Sequence, residues 1–259
     1  MRLIRFSSLV FFLLTLFVAP TCTAQVVAVG ASTAAAQSTS DYELGVERYL
    51  AQRYAEAAQA FARAVALTPD DAKAQHGLGS AKLNLGLYEE AVEALGRAIR
   101  LDPSLVEARR DLGIAYYRAG RTAEAAEAFL GVLALKPDYD KAYNDLGLMY
   151  AELGRYQEAL AALEHATRLN PRLAEAYNNI GYAYYRSGRY GKAIDAYRRA
   201  IDIRPDYARA RFNLGVAYLS QGKKGEALDQ YAALKSADPE LARRLFGDLS
   251  RDMLVEAYK

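Results

Sequence analysis

Residues 144–171 read NDLGLMYAELGRYQEALAALEHATRLNP, and residues 178–205 read NNIGYAYYRSGRYGKAIDAYRRAIDIRP. The two stretches align without a gap at an offset of 34 residues. The same offset separates Pro69, Pro103, Pro137, Pro171, Pro205 and Pro239, and Pro20 alone stands outside the series. An unbroken interval of this length means one supersecondary block copied in tandem. With each block ending two residues after its proline, six units follow: 38–71, 72–105, 106–139, 140–173, 174–207 and 208–241.

Aligned, the units share residue types at fixed places. The seventh place holds Leu44, Leu78, Leu112, Leu146, Ile180 and Leu214. The eighth is always glycine and the twentieth always alanine, from Gly45 and Ala57 to Gly215 and Ala227. The fifteenth is Gln52 and then five glycines, and the twenty-fourth is bulky, from Phe61 to Tyr231. Over these units the chain resembles the tetratricopeptide repeat family. The resemblance implies an all-α, right-handed superhelical solenoid of six antiparallel helix pairs with a concave inner groove, and a protein that binds other proteins or peptides without catalysis.

The residues agree with that reading. Apolar residues recur at three- and four-residue steps, as amphipathic helices require. Glycine and alanine remove bulk where two helices of a pair cross, so Gly147 and Ala159 are expected to face each other. The glycine at place fifteen suits a left-handed helix end. The proline ends the second helix because it lacks a donor and clashes with the preceding turn. Asp70, Ser104, Asp138 and Asp206 follow the proline and are expected to cap the next helix, with Arg172 and Glu240 departing from that pattern. A stacked unit leaves apolar surface that only a neighbour covers, so the ends need closing. Leu241, Leu245, Leu249 and Met253 step by four, and 242–259 reads as a C-terminal capping helix. Lys224 and Leu234, where other units favour tyrosine and alanine, fit a terminal unit.

The N-terminal segment differs from the rest. Arg2 and Arg5 precede an apolar run, Leu9 to Ala19, and Pro20 then breaks it. Cys22 and Ala24 are small residues placed for cleavage before Gln25. Residues 1–24 therefore read as a signal peptide, and 25–37 as a flexible linker. The expected location is exported and periplasmic. Membrane contact would follow only from an uncleaved signal or a lipid on Cys22. Cys22 is the only cysteine, so the expected mature chain has no thiol for a disulfide, a nucleophile or a metal. Removing Arg2 and Arg5 from 33 basic against 31 acidic residues leaves a neutral chain, which favours no nucleic acid.

No enzyme signature is present. His76 and His165 lie in different units without a paired ligand pattern. No strand precedes a glycine to form a phosphate loop. No cofactor, metal or small-molecule substrate is expected.

In the family, the groove is lined by places two, five, nine, twelve and thirteen of each first helix. Places nine and twelve give a hydrophobic and aromatic spine that includes Ile114, Leu148, Tyr182, Tyr117 and Tyr185. Arg110, Arg118, Lys141, Asn144, Asn178, Arg186, Arg209 and Asn213 flank it. Arg and Asn grip carbonyls and carboxylates, and Tyr offers stacking area at low entropic cost. Either the spine binds a partner or a tightly wound groove buries it. The chaperone-binding members of the family use a carboxylate clamp of Lys, Asn and Arg. Here Arg110 is paired with Ile114, and Asp145 replaces the clamp asparagine. Asn179, Asn213 and Arg209 keep only part of the clamp, so a chaperone tail is not the expected partner. A structural subunit of an envelope or secretion assembly, using its convex face and ends, is the alternative.

Overall fold

The computed structural model describes the backbone of residues 20–257 and the side chains of 33–250. The expected signal peptide lies mostly outside the described residues. Thirteen helices follow one another among the described residues, with no strand. They form six pairs: α1 (Pro20–Leu50) with α2 (Tyr54–Leu67), α3 (Ala72–Asn84) with α4 (Tyr88–Leu101), α5 (Val106–Arg118) with α6 (Thr122–Leu135), α7 (Asp140–Glu152) with α8 (Tyr156–Leu169), α9 (Ala174–Arg186) with α10 (Tyr190–Ile203), and α11 (Ala208–Leu219) with α12 (Lys224–Ala237). A single helix, α13 (Pro239–Ala257), closes the end. Each helix packs on the next, and first helices also touch across units, α1 with α3, α3 with α5, α7 with α9 and α9 with α11. This is an all-α repeat solenoid.

The turn inside each pair is made as the sequence suggests. Gly86, Gly120, Gly154, Gly188 and Gly222 have φ between 72° and 80°, and Gln52 takes the same left-handed conformation at 59°. In the third unit the Arg121 N–H then reaches the Tyr116 carbonyl and the Gly120 N–H reaches Tyr117. These two bonds satisfy carbonyls that the helix end would otherwise leave open.

The crossing inside a pair is equally tight. A Cβ on Gly147 would stand 2.5 Å from Leu163 Cγ and 3.1 Å from the Ala159 carbonyl oxygen. The eighth-place glycine thus admits both the bulky residue at place twenty-four and the alanine backbone. The sixth unit departs from this. A Cβ on Gly215 would meet Leu245 Cδ2 of α13 at 2.6 Å. Tyr231, which holds place twenty-four there, instead packs on Phe246 with ring centroids 5.4 Å apart. Helix α13 stands against both α11 and α12. Leu245 and Leu249 are fully buried in a cluster that reaches back to Tyr197.

Two expectations need correction. Residues 25–37 are not an irregular linker but part of α1, which runs unbroken into the first unit. Ala34, Ala35 and Ala36 adjoin the repeat, and alanine is the best helix former. The residues after proline are not the caps either. In the second unit Asp71, one residue later, caps the helix instead, accepting from Lys73 and Ala74. Elsewhere the residue before proline takes the polar role. Asp102 accepts from the Ser104 N–H, Asn170 from Arg172, and Asp238 from both Glu240 and Leu241. A residue preceding proline is held extended, and from there a short Asp or Asn side chain bonds the backbone two residues on.

Candidate partner-binding groove

The inner face is built by two ladders that link a residue in one unit to another 35 residues later. The first joins place five to place six of the next unit. His76 Nε2 lies 3.1 Å from Asp111 Oδ2. Asn179 Nδ2 donates to Asn144 Oδ1 at 2.9 Å, and Asn213 Nδ2 donates to Asn178 Oδ1 at 2.9 Å. Bonds between neighbours in sequence connect these rungs. Arg110 donates to Asp111, Asn144 to Asp145 and Asn178 to Asn179. Ser80 Oγ adds a 2.7 Å bond to Asp111.

Asn144 and Asn178 are therefore buried and already bonded to other asparagines. They are spent on holding adjacent units together, so they are not the free groove contacts the sequence suggests. Asn213 is half-buried and closes the same chain of amides.

The second ladder joins place twelve to place thirteen of the next unit. Asn84 Nδ2 donates to the Tyr49 hydroxyl at 3.0 Å, and the Tyr185 hydroxyl lies 3.1 Å from Ser220 Oγ. Tyr117 faces Glu152 in the same relation: burial first, then Glu152, raises its hydroxyl pKa. Glu152 also accepts from the Tyr182 hydroxyl at 3.0 Å, and Arg186 bonds that hydroxyl and pairs with Glu152 at 3.7 Å. Tyrosine fills place twelve only in units one, three and five, while Leu83, Ala151 and Leu219 fill it in the others.

The spine is neither free nor hidden. Ile114, Leu148 and Tyr117 pack against the core of units three and four, and Tyr182 and Tyr185 are half-buried. Arg118, Lys141 and Arg209 are exposed. Arg110 donates to Asp111 at 2.9 Å and to the Tyr139 hydroxyl at 3.4 Å, while its Nε is buried without a partner. Asp111, Asn84, Glu152 and Ser220 escaped the sequence reading, and the recurring 35-residue offset is the signal that finds them. The two histidines are used locally: His76 on Asp111, and His165 stacked on Tyr143 with centroids 5.1 Å apart. Among the described residues no group of His, Cys, Asp or Glu is arranged to hold a metal.

Two family profiles match the chain. One described as Tetratricopeptide repeat matches residues 42–105, 76–140 and 204–242, and one described as TPR repeat matches 147–188 and 181–222. The chain belongs to the tetratricopeptide repeat family. Among solved structures, this tetratricopeptide solenoid is similar to MamA at 30% identity and a TM-score of 0.55, over 64% of this chain and 97% of that one. It is similar to YrrB, described as a TPR protein with an unusual peptide-binding site, at 23% identity and a TM-score of 0.58, over 66% and 88%. It is similar to PilW, described as a widely conserved type IV pilus biogenesis factor, at 20% identity and a TM-score of 0.71, over 81% and 98%. No curated protein matches the sequence. Among the described residues no helix is long and apolar enough to cross a membrane.

Proposed function

We propose that this chain is a non-catalytic scaffold whose concave face holds a segment of a protein partner. One observation carries the reading. The inner spine sets the half-buried Tyr182 and Tyr185 beside the exposed guanidinium groups of Arg118, Arg186 and Arg209. Tyr and Arg are the residue types that most often dominate interface energy. The peptide-binding description of YrrB supports the same use of the fold. We place the protein outside the cytoplasm on the strength of its N-terminal sequence, and the mass of the exported chain tests this: a product starting at Gln25 is expected.

The fifth unit gives the test of binding. Replacing Tyr182, Tyr185 and Arg186 with alanine removes two rings and one cation from the groove lining while alanine preserves helix. Partners captured from the producing cell on the immobilised wild-type chain are expected to bind this variant at least about tenfold more weakly, or roughly 1.4 kcal/mol. Equal binding by a folded variant would transfer the function to the outer face. That second reading, a subunit of an envelope assembly, is favoured by exposed Leu67, Leu101, Leu135 and Leu169, which recur once per unit at place thirty. The description of PilW supports it as well.

A further inference from the structure

Two cavities open on the lining of the solenoid, and they share one chemical character. The first, of about 560 Å³, is lined by Tyr49, Leu83, Arg110, Asp111, Ile114 and Arg118 among others. The second, of about 620 Å³, lies at the C-terminal end and includes Arg209, Phe212, Asn213, Asp238, Glu240 and Arg244. Each holds two guanidinium groups, and the acids beside them are already engaged. In the first cavity, Asp111 accepts from His76, Ser80 and Arg110. Burial pushes its carboxyl up, but those three donors outweigh it and hold the group below its usual range. In the second, Asp238 caps α13 and Glu240 pairs with Arg243.

The cations are not matched in the same way. Among the described residues Arg118 and Arg209 make no hydrogen bond and no ion pair, and Arg244 only lies over the Phe212 ring at 5.0 Å. Arg110 keeps its buried Nε unpartnered. Between the cavities, Glu152 is engaged by Tyr182 and Arg186, Glu175 by Arg204, and Asp145 by Asn144. The Lys141 side chain carries no partner. Glu107 of unit three is an unpaired acid, and it lines an adjoining cavity that shares Arg110 and Asp111 with the first. Arg118 and Arg209 both act electrostatically on the Tyr117 hydroxyl and favour its charged form. Along the lining from unit three to α13, the free cations Arg118, Lys141, Arg209 and Arg244 outnumber the one free acid, Glu107, so the balance is positive. An ion pair that must strip a cation of an existing partner gains little, and an unmatched guanidinium in a concave site offers a bidentate fork to a carboxylate.

We infer that the groove takes an extended acidic segment, with one carboxylate side chain held by Arg118 and another by Arg209 and Arg244. The inference rests on the groove reading above and adds the chemistry of the occupant.

The probe is a library of random dodecapeptides, joined at their C-termini to a phage coat protein so that no free chain-terminal carboxylate is offered. Panned on the immobilised full chain, it is expected to enrich peptides bearing two or more Asp or Glu by at least about tenfold. The double variant Arg118→Glu/Arg209→Glu is expected to select Lys and Arg instead. The best acidic peptide, amidated and labelled, is expected to bind Arg118→Ala/Arg209→Ala at least about tenfold more weakly by anisotropy, with helical content unchanged. Selection of neutral or basic peptides, or no selection, overturns the inference. So does an acidic peptide indifferent to both arginines, or one that binds only with a free C-terminal carboxylate. Neutral peptides that are lost on the Tyr182, Tyr185 and Arg186 triple variant overturn the acidic occupant alone and leave the groove reading standing.

Discussion

Asp111 and Asp145 hold the same place in adjacent units, and their surroundings drive them in opposite directions. Asp111 is buried but receives three donors, and its carboxyl lies below the usual range. Asp145 receives one amide from Asn144, with Arg110 and Lys141 acting only at a distance, and burial pushes it up to about 6. Units five and six carry Asn179 and Asn213 at that place, where amide bonds to amide. The difference teaches that the solenoid fixes where a polar rung stands but not its chemistry. Each rung is set by what the preceding unit offers. A donor-only Arg110, or His76 in its donating tautomer, calls for an acid, whereas an asparagine that both donates and accepts is met by another asparagine.

The largest expected effect comes from emptying the charged half. Asp111→Ala leaves His76, Ser80 and Arg110 facing the site without their shared acceptor. Buried groups stripped of a charged partner cost several kcal/mol, so a loss of about 3 kcal/mol is expected in urea unfolding followed by circular dichroism. A change within error would mean that the rung does not join the two units.

The amide half is expected to lose less. Asn179→Ala removes the donor to Asn144 and the acceptor of Asn178, both buried, at about 1–3 kcal/mol. The same denaturant titration measures it, and a loss equal to that of Asp111→Ala would erase the contrast between the halves.

The smallest effect is a pH dependence. Because the folded Asp145 takes up a proton near 6 and the unfolded carboxylate does so near about 4, the folded state binds more protons in between. Stability is therefore gained as pH falls from 7.5 through 6 towards 5, the reverse of the Asp111 contribution, which is lost only in stronger acid. Asp145→Asn is expected to flatten the acid-side rise in melting temperature over that window. An unchanged slope would assign the rise to another group.

The sequence reached the fold because the fold depends on backbone features. Left-handed turns, missing Cβ atoms and a proline stop each demand particular residue types, and Gly147, Gly154 and Pro171 display them. The repeat also assigns Arg118, Tyr185 and Arg209 to expected groove places, and the structure leaves Arg118 and Arg209 exposed and Tyr185 half-buried. What was not legible was which of these groups was already bonded. Asn144 and Arg118 read alike as polar groove residues, yet one is buried between amides and the other is exposed. That distinction depends on partners 35 residues away in the next unit, and a reading of each unit by itself does not pair them. The linker over 25–37 failed for a local reason: small residues suggested looseness, while an alanine-rich run attached to an existing helix only needs to propagate.

Gly215 has a consequence for how such a chain can lengthen. In the fourth unit the eighth-place glycine is filled from its own pair, so a further copy of 34 residues inserted in the middle brings its own plug. In the sixth unit Leu245 of α13 fills it instead. A copy added after residue 241 would have to displace that plug and compete for the same notch. Copy number in this chain is therefore free to change in the interior and locked at the C-terminal end.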